Sequence, residues 1–544
     1  MFRSAHVDTF TRDNLPPPGQ WPVFLLDRPE LRYPERLNCA VTLLDGAVSA
    51  GHGDRVALRT DAACCTYRQL QAQVDRICRV LVEDLALLPG NRVLLRGPNS
   101  PMMAACWLAV IKCGLVAVAT MPLLRAGELV PVIERARVTA ALCDARLAEE
   151  MRLAQALCPS LEQVLWFDDG DGTVGGARPG SLEARAAAKP AGFAGCDTAQ
   201  DDVALIAFTS GTTGQPKGTM HVHRDVLAMC DLFPRSVLRT QADDVFCGTP
   251  PLAFTFGLGG MLCFPMRVGA STLLLERASP ESLLAAIARH RATVVFTAPT
   301  FYRQMAARAG DFDLSSLRAS VSAGEALPDA TRQLWMQATG LVMIDGIGST
   351  ELIHIFISSP PESVRSGAIG RVVPGYEARI VDDAMRTLEP GEPGRLAVRG
   401  PTGCRYLADA RQAQYVCDGW NLTGDTFSMD ADGYFSFHAR SDDMIVSAGY
   451  NIAGPEVEAA LLTHEAVAEA GVIGVPDEDR GTVVKAFVVL APGRVGDAAM
   501  VRALQDHVKA TIAPYKYPRA IAFRDALPRT ETGKLQRFRL RDPA

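Results

Sequence analysis

The sequence predicts an α/β fold: a large N-terminal domain (residues 1–441) of mostly parallel sheets with flanking helices plus a small β subdomain (about 366–441), and a small α+β C-terminal lid domain (442–544). Three observations predict it. The chain has 544 residues, well beyond the ~250–300 at which single cores stop growing. Its middle third alternates short β-rich runs with helical patterns, as βαβ units do. Its texture then changes twice, near 366 and near 440.

In chain order, the opening "MFRSAHVDTFTRDNLPPPGQ" has no apolar h-region, so no secretory leader is expected. "MMAACWLAVIKCG" (102–114) is the most apolar stretch, but Lys112 interrupts it. It falls short of the ~18–20 residues of a membrane span and reads as a buried helix. Two Gly/Ala/Asp-rich stretches, 168–181 and 185–202, read as surface loop or linker. β-rich runs follow at 203–208, 245–248, 271–275, 293–297, 317–322 and 341–344. Helical patterns such as "PESLLAAIARHR", "PTFYRQMAARAG" and "PDATRQLWMQATG" separate several of them. In parallel sheets ligands bind at the carboxyl ends of strands. The polar loops "TSGTTGQPKG", "SAGEALP" and "DGIGSTE" are expected there.

From about 366, "GRLAVRG" and "YFSFHAR" with turns "EPGEPG" and "DADG" suggest a twisted β subdomain. Beyond about 440, helices "GPEVEAALLTH" and "AAMVRALQDHVKATI" and strands "AEAGVIGV" and "VVKAFVVL" suggest the separate α+β unit.

Hydrophobic residues make up 48% and charged residues 21%, with a formal net charge of −6. That balance argues against a nucleic-acid binder, which shows a basic face or tail. The 14 cysteines form no CxxC pair and sit mostly in apolar surroundings, as reduced core residues do. The expected location is cytoplasmic, with no membrane and no nucleic acid as partner.

The loop "TSGTTGQPKG" (209–218) carries the first functional signal. It is not an ordinary P-loop, because Gln215 and Pro216 separate Gly214 from Lys217. It is not a GxSxG elbow, because Ser210 lacks the preceding glycine. Glycines still let backbone N–H groups approach a polyanion, hydroxyls add donors, and one lysine neutralises part of the charge. The reading is a phosphate loop. "HVH" (221–223) just beyond it has no third ligand nearby and reads as a loop-to-helix start.

"FTSGTTGQPKG" resembles the phosphate-loop signature of the adenylate-forming superfamily: acyl-CoA synthetases, luciferases and peptide-synthetase adenylation domains. The matching motifs continue in family order: "DGIGSTE" (345–351), "GRLAVRG" (394–400), "TGD" (423–425), "ARSDDMIVSAGYNI" (439–452) and "PRTETGKLQR" (528–537). The resemblance implies ATP, Mg²⁺ and coenzyme A as cofactors or co-substrates. A carboxylate attacks the α-phosphate of ATP and releases pyrophosphate, and a thiol then displaces AMP from the acyl-adenylate.

It also implies roles, residue by residue. Thr209, Ser210, Gly211, Thr212, Thr213 and Lys217 would hold the β- and γ-phosphates. Glu351, with Thr209, would hold Mg²⁺. Gly324, Glu325 and Ala326 would flank the adenine, with Asp345, Gly346, Ile347, Gly348, Ser349 and Thr350 completing the nucleotide site. Many relatives carry Tyr where Ile347 stands, so Ile347 offers only apolar contact. Asp425 would accept from the ribose hydroxyls, and Arg440 would contact ribose or phosphate. Lys534 would be the catalytic lysine of adenylation, beside Lys217 and Glu351. It would be carried on a mobile lid with its hinge at Asp442, and Gly449 would line the coenzyme A tunnel.

For the acid, "PPLAFTFGLGG" (250–260) occupies the pocket position. Phe254, Thr255, Phe256 and Gly257 make a compact aromatic wall, and Gly324 and Gly348 leave flat surfaces for an aryl plane. With His354 and Ile355, this set resembles benzoate-type CoA ligases, and "SAGYNIAGPEVE" most resembles the 2-aminobenzoate branch. The expectation is therefore an aryl-acid CoA ligase, with an aromatic carboxylic acid, ATP and coenzyme A as partners and a homodimer as the assembly. A stand-alone enzyme loading an aryl acid onto a carrier protein is the alternative. A non-catalytic protein on this fold is the rival of another class. Retention of Lys217, Glu351, Asp425 and Lys534 together speaks against that rival.

Overall fold

Short, largely apolar runs become the central strands of two mostly parallel sheets in the computed structural model. It describes residues 2–167, 179–209, 216–440, 445–447, 450–477, 481–512, 514–529 and 535–541. The first sheet has six strands in the order Gln163–Phe167, Ala140–Asp144, Arg92–Arg96, Val116–Thr120, Val203–Thr209 and Lys217–Val222. The first five run parallel and the last is antiparallel. Every residue of Arg92–Arg96 and of Ala140–Asp144 is buried, the signature of a parallel strand covered on both faces.

The second sheet has nine strands: Arg371–Val372, Ile355–Ser358, Ile344–Gly348, Ala319–Ala323, Val294–Thr297, Val245–Gly248, Ser271–Leu273, Val56–Arg59 and Cys64–Thr66. Its centre is parallel and both edges are antiparallel. Two expectations are corrected here. The run 203–208, expected in one sheet with the strands that follow it, lies instead in the six-stranded sheet between Val116–Thr120 and Lys217–Val222, since an all-apolar strand carries no mark of its partner. The strand expected at 341–344 forms at Ile344–Gly348, so the start of "DGIGSTE" is strand and not loop. Its glycines read as a turn, yet they serve close backbone approach within the sheet.

The helix Pro101–Lys112 is buried along nearly its whole length, as its sequence predicts. Ser100 caps it, accepting from the Met103 N–H at 3.2 Å, and proline occupies the first helical position. Lys112, the charge that interrupts the apolar run, is buried but bonded to Asp45 at 2.6 Å and Asp75 at 2.7 Å. Pairing is what makes a buried ammonium tolerable. One continuous core joins this helix to both sheets through residues such as Trp107, Val93, Phe246 and Phe296.

Further along the chain an antiparallel sheet contains Glu377–Val381, Gly394–Arg399, Trp420–Met429, Val416–Cys417 and Phe435–Arg440. The C-terminal part folds about Val467–Asp477, Gly481–Leu490 and Ala520–Phe523, with helices Gly454–Leu462 and Ala498–Thr511. Its buried residues, among them Val457, Leu461, Val472, Val488, Leu504 and Val508, form a cluster of their own. Among the described residues, two arginines tie it to the larger part. Arg303 donates to the carbonyls of Leu462 and Val467 at 3.4 and 3.2 Å, and Arg529 pairs with Glu325 at 3.0 Å. Among the described residues, no helix is long and apolar enough to cross a membrane.

Candidate active site

Thr209 ends its strand and pairs with Lys217 at the start of the next, so the two arms of the loop form an antiparallel hairpin. Ser210, Gly211, Thr212 and Thr213 lie outside the described residues. Gly218 follows Lys217 because a Cβ there would meet the Phe208 ring at 2.9 Å. Lys217 Nζ stands 5.5 Å from the centre of the Tyr406 ring. The Tyr406 hydroxyl in turn donates to Glu351 Oε1 at 2.6 Å.

Tyr406 thus links two residues that the sequence singled out, and sequence reasoning missed it. Burial first, then the Glu351 carboxylate, pushes its phenol far above the usual range, so it stays a donor. Nothing in "GCRYL" separates it from a core tyrosine; only its hydroxyl's partner does. Tyr415, also missed, lies 3.4 Å from the Ser349 hydroxyl. Its phenol is pushed up by desolvation first and then by Glu351, with Asp425 adding to it. Glu351 and Asp425 therefore act on one phenol, although they lie far apart in sequence. Asp425 is buried and stands opposite Arg440 in the antiparallel register; the side chain of Arg440 is outside the described set.

Glu351 is buried and follows a strand whose end is open: Ile347, Ser349 and Thr350 are half-buried and Gly348 is exposed. The Ser349 hydroxyl also accepts from Leu352 N–H at 3.2 Å, closing a turn. Two residues beyond Glu351, Ile353 is fully buried at φ 67°. A β-branched residue in that region costs about 1–3 kcal/mol and persists only where its surroundings impose it. The turn carries the chain from Glu351 to His354.

Gly348 corrects an expectation. It leaves no flat wall on its Cβ side, because a Cβ there would lie 2.7 Å from the backbone of His354. Glycine is required for the antiparallel approach of Ile355, whose side chain in turn covers Gly346. Gly324, at φ 92°, and Ala326 are exposed past the end of Ala319–Ala323. Glu325 between them accepts from Thr300 Oγ1 at 2.8 Å and from Arg529.

Asp345 is buried within its strand. Burial pushes its carboxyl pKa up to about 7, and Arg332, 3.8 Å away, offsets only part of that. The folded protein therefore keeps this proton at pH values where the unfolded chain, with a pKa of about 3.9, has lost it. The group's contribution to stability is full below about pH 4 and is lost as pH rises toward 7. We expect Asp345→Asn to flatten that slope, removing a loss on the order of 2–4 kcal/mol between pH 4 and 7. Urea midpoints measured across that range check it. Parallel curves for variant and parent would refute it.

The aromatic residues expected to form one wall divide into two groups. Phe256 stands 5.6 Å from the His354 ring, which is further enclosed by Phe264 at 4.5 Å and Phe233 at 5.8 Å. Phe254 and Thr255 instead border a small cavity, about 10 Å³, with Trp107, Leu205 and Ala207. Gly257 packs against the Pro251 carbonyl. The short helix Thr255–Leu258 turns successive side chains to different sides.

His354 is buried, and neither ring nitrogen makes a well-formed hydrogen bond. Burial pushes its pKa down to about 3, only partly offset by the Phe256 backbone. It is a neutral imidazole with one donor and one acceptor to offer. Asp442, Gly449 and Lys534 lie outside the described residues.

The donor set suits a hard cation. A carboxylate (Glu351) and a hydroxyl (Thr209) are the oxygen ligands Mg²⁺ takes, and nucleotide phosphates supply the rest.

The AMP-binding enzyme family matches residues 47–406, and its C-terminal domain matches 456–534. The chain is 36% identical over 522 residues to the benzoate–CoA ligase of Thauera aromatica, covering 94% of this chain and 97% of that one. Among solved structures it is similar to the anthranilate CoA ligase AuaEII in complex with anthranoyl-AMP, with a TM-score of 0.89 at 34% identity over 94% of this chain and 98% of that one. It is also similar to a benzoate CoA ligase from Burkholderia xenovorans LB400, with a TM-score of 0.84 at 30% identity over 93% and 100% of the two chains.

Proposed function

The chain belongs to the AMP-binding enzyme family, and from that premise we propose that it is an ATP-dependent, AMP-forming aryl-acid CoA ligase with 2-aminobenzoate as its preferred acid. The observation that carries the choice of acid is His354. A neutral imidazole enclosed by Phe233, Phe256 and Phe264 offers a donor and an acceptor inside an aromatic box. An ortho amine beside a carboxylate presents the complementary acceptor and donor on a flat ring.

The residues divide the work. Thr209, Ser210, Gly211, Thr212, Thr213 and Lys217 hold the β- and γ-phosphates, which must depart as pyrophosphate. Glu351 and Thr209 would hold Mg²⁺, which would neutralise phosphate charge when bound. Tyr406, donating to Glu351, keeps that carboxylate in place. Asp425 holds the ribose. Lys534 meets the acid carboxylate and the α-phosphate as negative charge builds between them. The acid oxygen bonds to the α-phosphorus as the bond to pyrophosphate breaks. The coenzyme A thiol, losing its proton, then attacks the acyl carbon and AMP departs. Rotation about Asp442 exchanges Lys534 for the Gly449 tunnel between the two halves. A cytoplasmic location and a homodimer complete the reading.

A pyrophosphate-release assay over benzoate, 2-aminobenzoate, the hydroxybenzoates and octanoate tests it. We expect the highest kcat/KM for 2-aminobenzoate, benzoate lower by about tenfold for the lost polar contact, and octanoate lower by roughly 10²-fold. A preference for octanoate would overturn the aryl reading. Mass spectrometry of the product decides the acceptor: acyl-CoA supports the proposal, and acylation of a carrier protein alone would replace it.

A further inference from the structure

"HVH" is built into a buried polar network. The two histidines face different partners. His223 Nδ1 accepts from the Cys39 N–H at 3.2 Å. His221, on the strand Lys217–Val222, sits 2.7 Å from the Thr350 carbonyl through Nε2. A carbonyl only accepts, so Nε2 carries the proton. Its other nitrogen faces Asp225 Oδ2 at 3.5 Å. The same carboxylate oxygen accepts from the Val222 N–H at 3.1 Å and from the guanidinium of Arg405. Arg405 is followed directly by Tyr406, whose hydroxyl bonds Glu351, and Glu351 directly follows Thr350. The strand joins the network again by backbone, Met220 N–H donating to the Arg405 carbonyl at 2.8 Å.

Glu351 is thereby held from two sides. Tyr406 takes its carboxylate, and His221 takes the peptide carbonyl on which its Cα is mounted. His221, Asp225 and Arg405 are all buried. Burying such a set costs desolvation that well-packed apolar side chains avoid, so stability alone is a poor reason for it. What the network does supply is one orientation for the peptide before Glu351.

We propose that His221 is a positioning residue for the reaction: its Nε2–H holds the Thr350 carbonyl and so sets the place of the Glu351 carboxylate. This rests on the reading of Glu351 as a metal ligand. The strand that leaves the phosphate loop would then also orient the metal-binding carboxylate, tying the two anion-handling parts of the site together.

The test measures metal binding directly. Mn²⁺, a paramagnetic substitute for Mg²⁺, is titrated by electron paramagnetic resonance into the full-length enzyme with α,β-methylene-ATP. His221→Leu is expected to raise the Kd for Mn²⁺ about three- to tenfold, the effect of one lost hydrogen bond. His221→Gln, whose amide nitrogen can reach the same carbonyl, should return it to within about twofold. Should the leucine variant fail to fold, His221→Asn, whose shorter amide falls short of Thr350, is expected to bind Mn²⁺ as weakly. Wild-type affinity in whichever of these variants folds overturns the proposal. Glu351→Gln separates the two claims. If it too binds Mn²⁺ as the parent does, the ligand reading fails and the proposal with it. If it binds weakly while His221→Leu does not, the proposal alone fails.

Discussion

Lys534→Ala is expected to slow acyl-adenylate formation about 10²–10³-fold, the usual consequence of losing one donor aimed at transition-state charge. Thioester formation from a supplied aryl-adenylate and coenzyme A should stay within about threefold, because in the proposed mechanism lid rotation has already exchanged this lysine for the thiol path when AMP departs. The asymmetry makes the prediction sharp. A lysine that merely supported the fold would lower both half-reactions together. Lys534 itself lies outside the described residues, but the chain on either side of it is well held. Arg529 and Leu535 pair across the segment, and Gln536 N–H donates to the Pro528 carbonyl at 2.9 Å. Arg529 also bonds Glu325, which lies past the end of a strand of the large parallel sheet, at the proposed nucleotide site. Arg529, which precedes Lys534 by five residues, is thus ion-paired at that site. Pyrophosphate exchange and single-turnover thioesterification, run on the same preparation, check both halves. Equal losses in the two would sink the assignment.

Much of this was legible in the sequence because phosphate chemistry demands unusual composition. A run such as "TSGTTGQPKG" has no packing role that would produce it, and its companions recur in a set order. The fold class was legible for a similar reason, since an apolar run bounded by turn residues has few other uses. What was not legible has one physical cause: it depends on which distant segments meet. Val203–Thr209 joins the six-stranded sheet rather than the nine-stranded one, and its pattern is equally good for both. Tyr406 is a core tyrosine by pattern and a Glu351 partner only in three dimensions. The enclosure of His354 draws on Phe233 and Phe264, neither of which lies in "PPLAFTFGLGG". Gly348 was read as an open surface because glycine lacks a side chain. The structure uses that lack to bring the backbone of His354 close. Local chemistry is written in the local sequence, and the shape of a pocket is not.

Gly449→Leu should leave pyrophosphate exchange within about threefold and reduce acyl-CoA formation below about one per cent, because a bulky side chain on the proposed thiol path would block entry without touching the nucleotide. The flanking geometry supplies both the rationale and the main confounder. Ile445–Ser447 and Tyr450–Ile452 pair antiparallel, with Ser447 opposite Tyr450, so residues 448 and 449 are all that connect the two strands. Two-residue connections favour glycine on backbone grounds alone. A loss in the leucine variant could therefore come from a damaged turn and not from a blocked channel. The two causes separate by size and by step. Gly449→Ala imposes nearly the same backbone restriction as leucine but little bulk. A turn defect should affect both variants alike and should lower adenylation as well, through a disordered lid. A blocked channel should spare alanine largely, stop leucine, and leave adenylation intact in both. The sharpest readout is the adenylate itself. In the leucine variant, aryl-adenylate should accumulate on the enzyme in the presence of saturating coenzyme A, detectable by quenching and mass spectrometry. If acyl-CoA still forms at the parent rate, Gly449 does not line the path of the thiol.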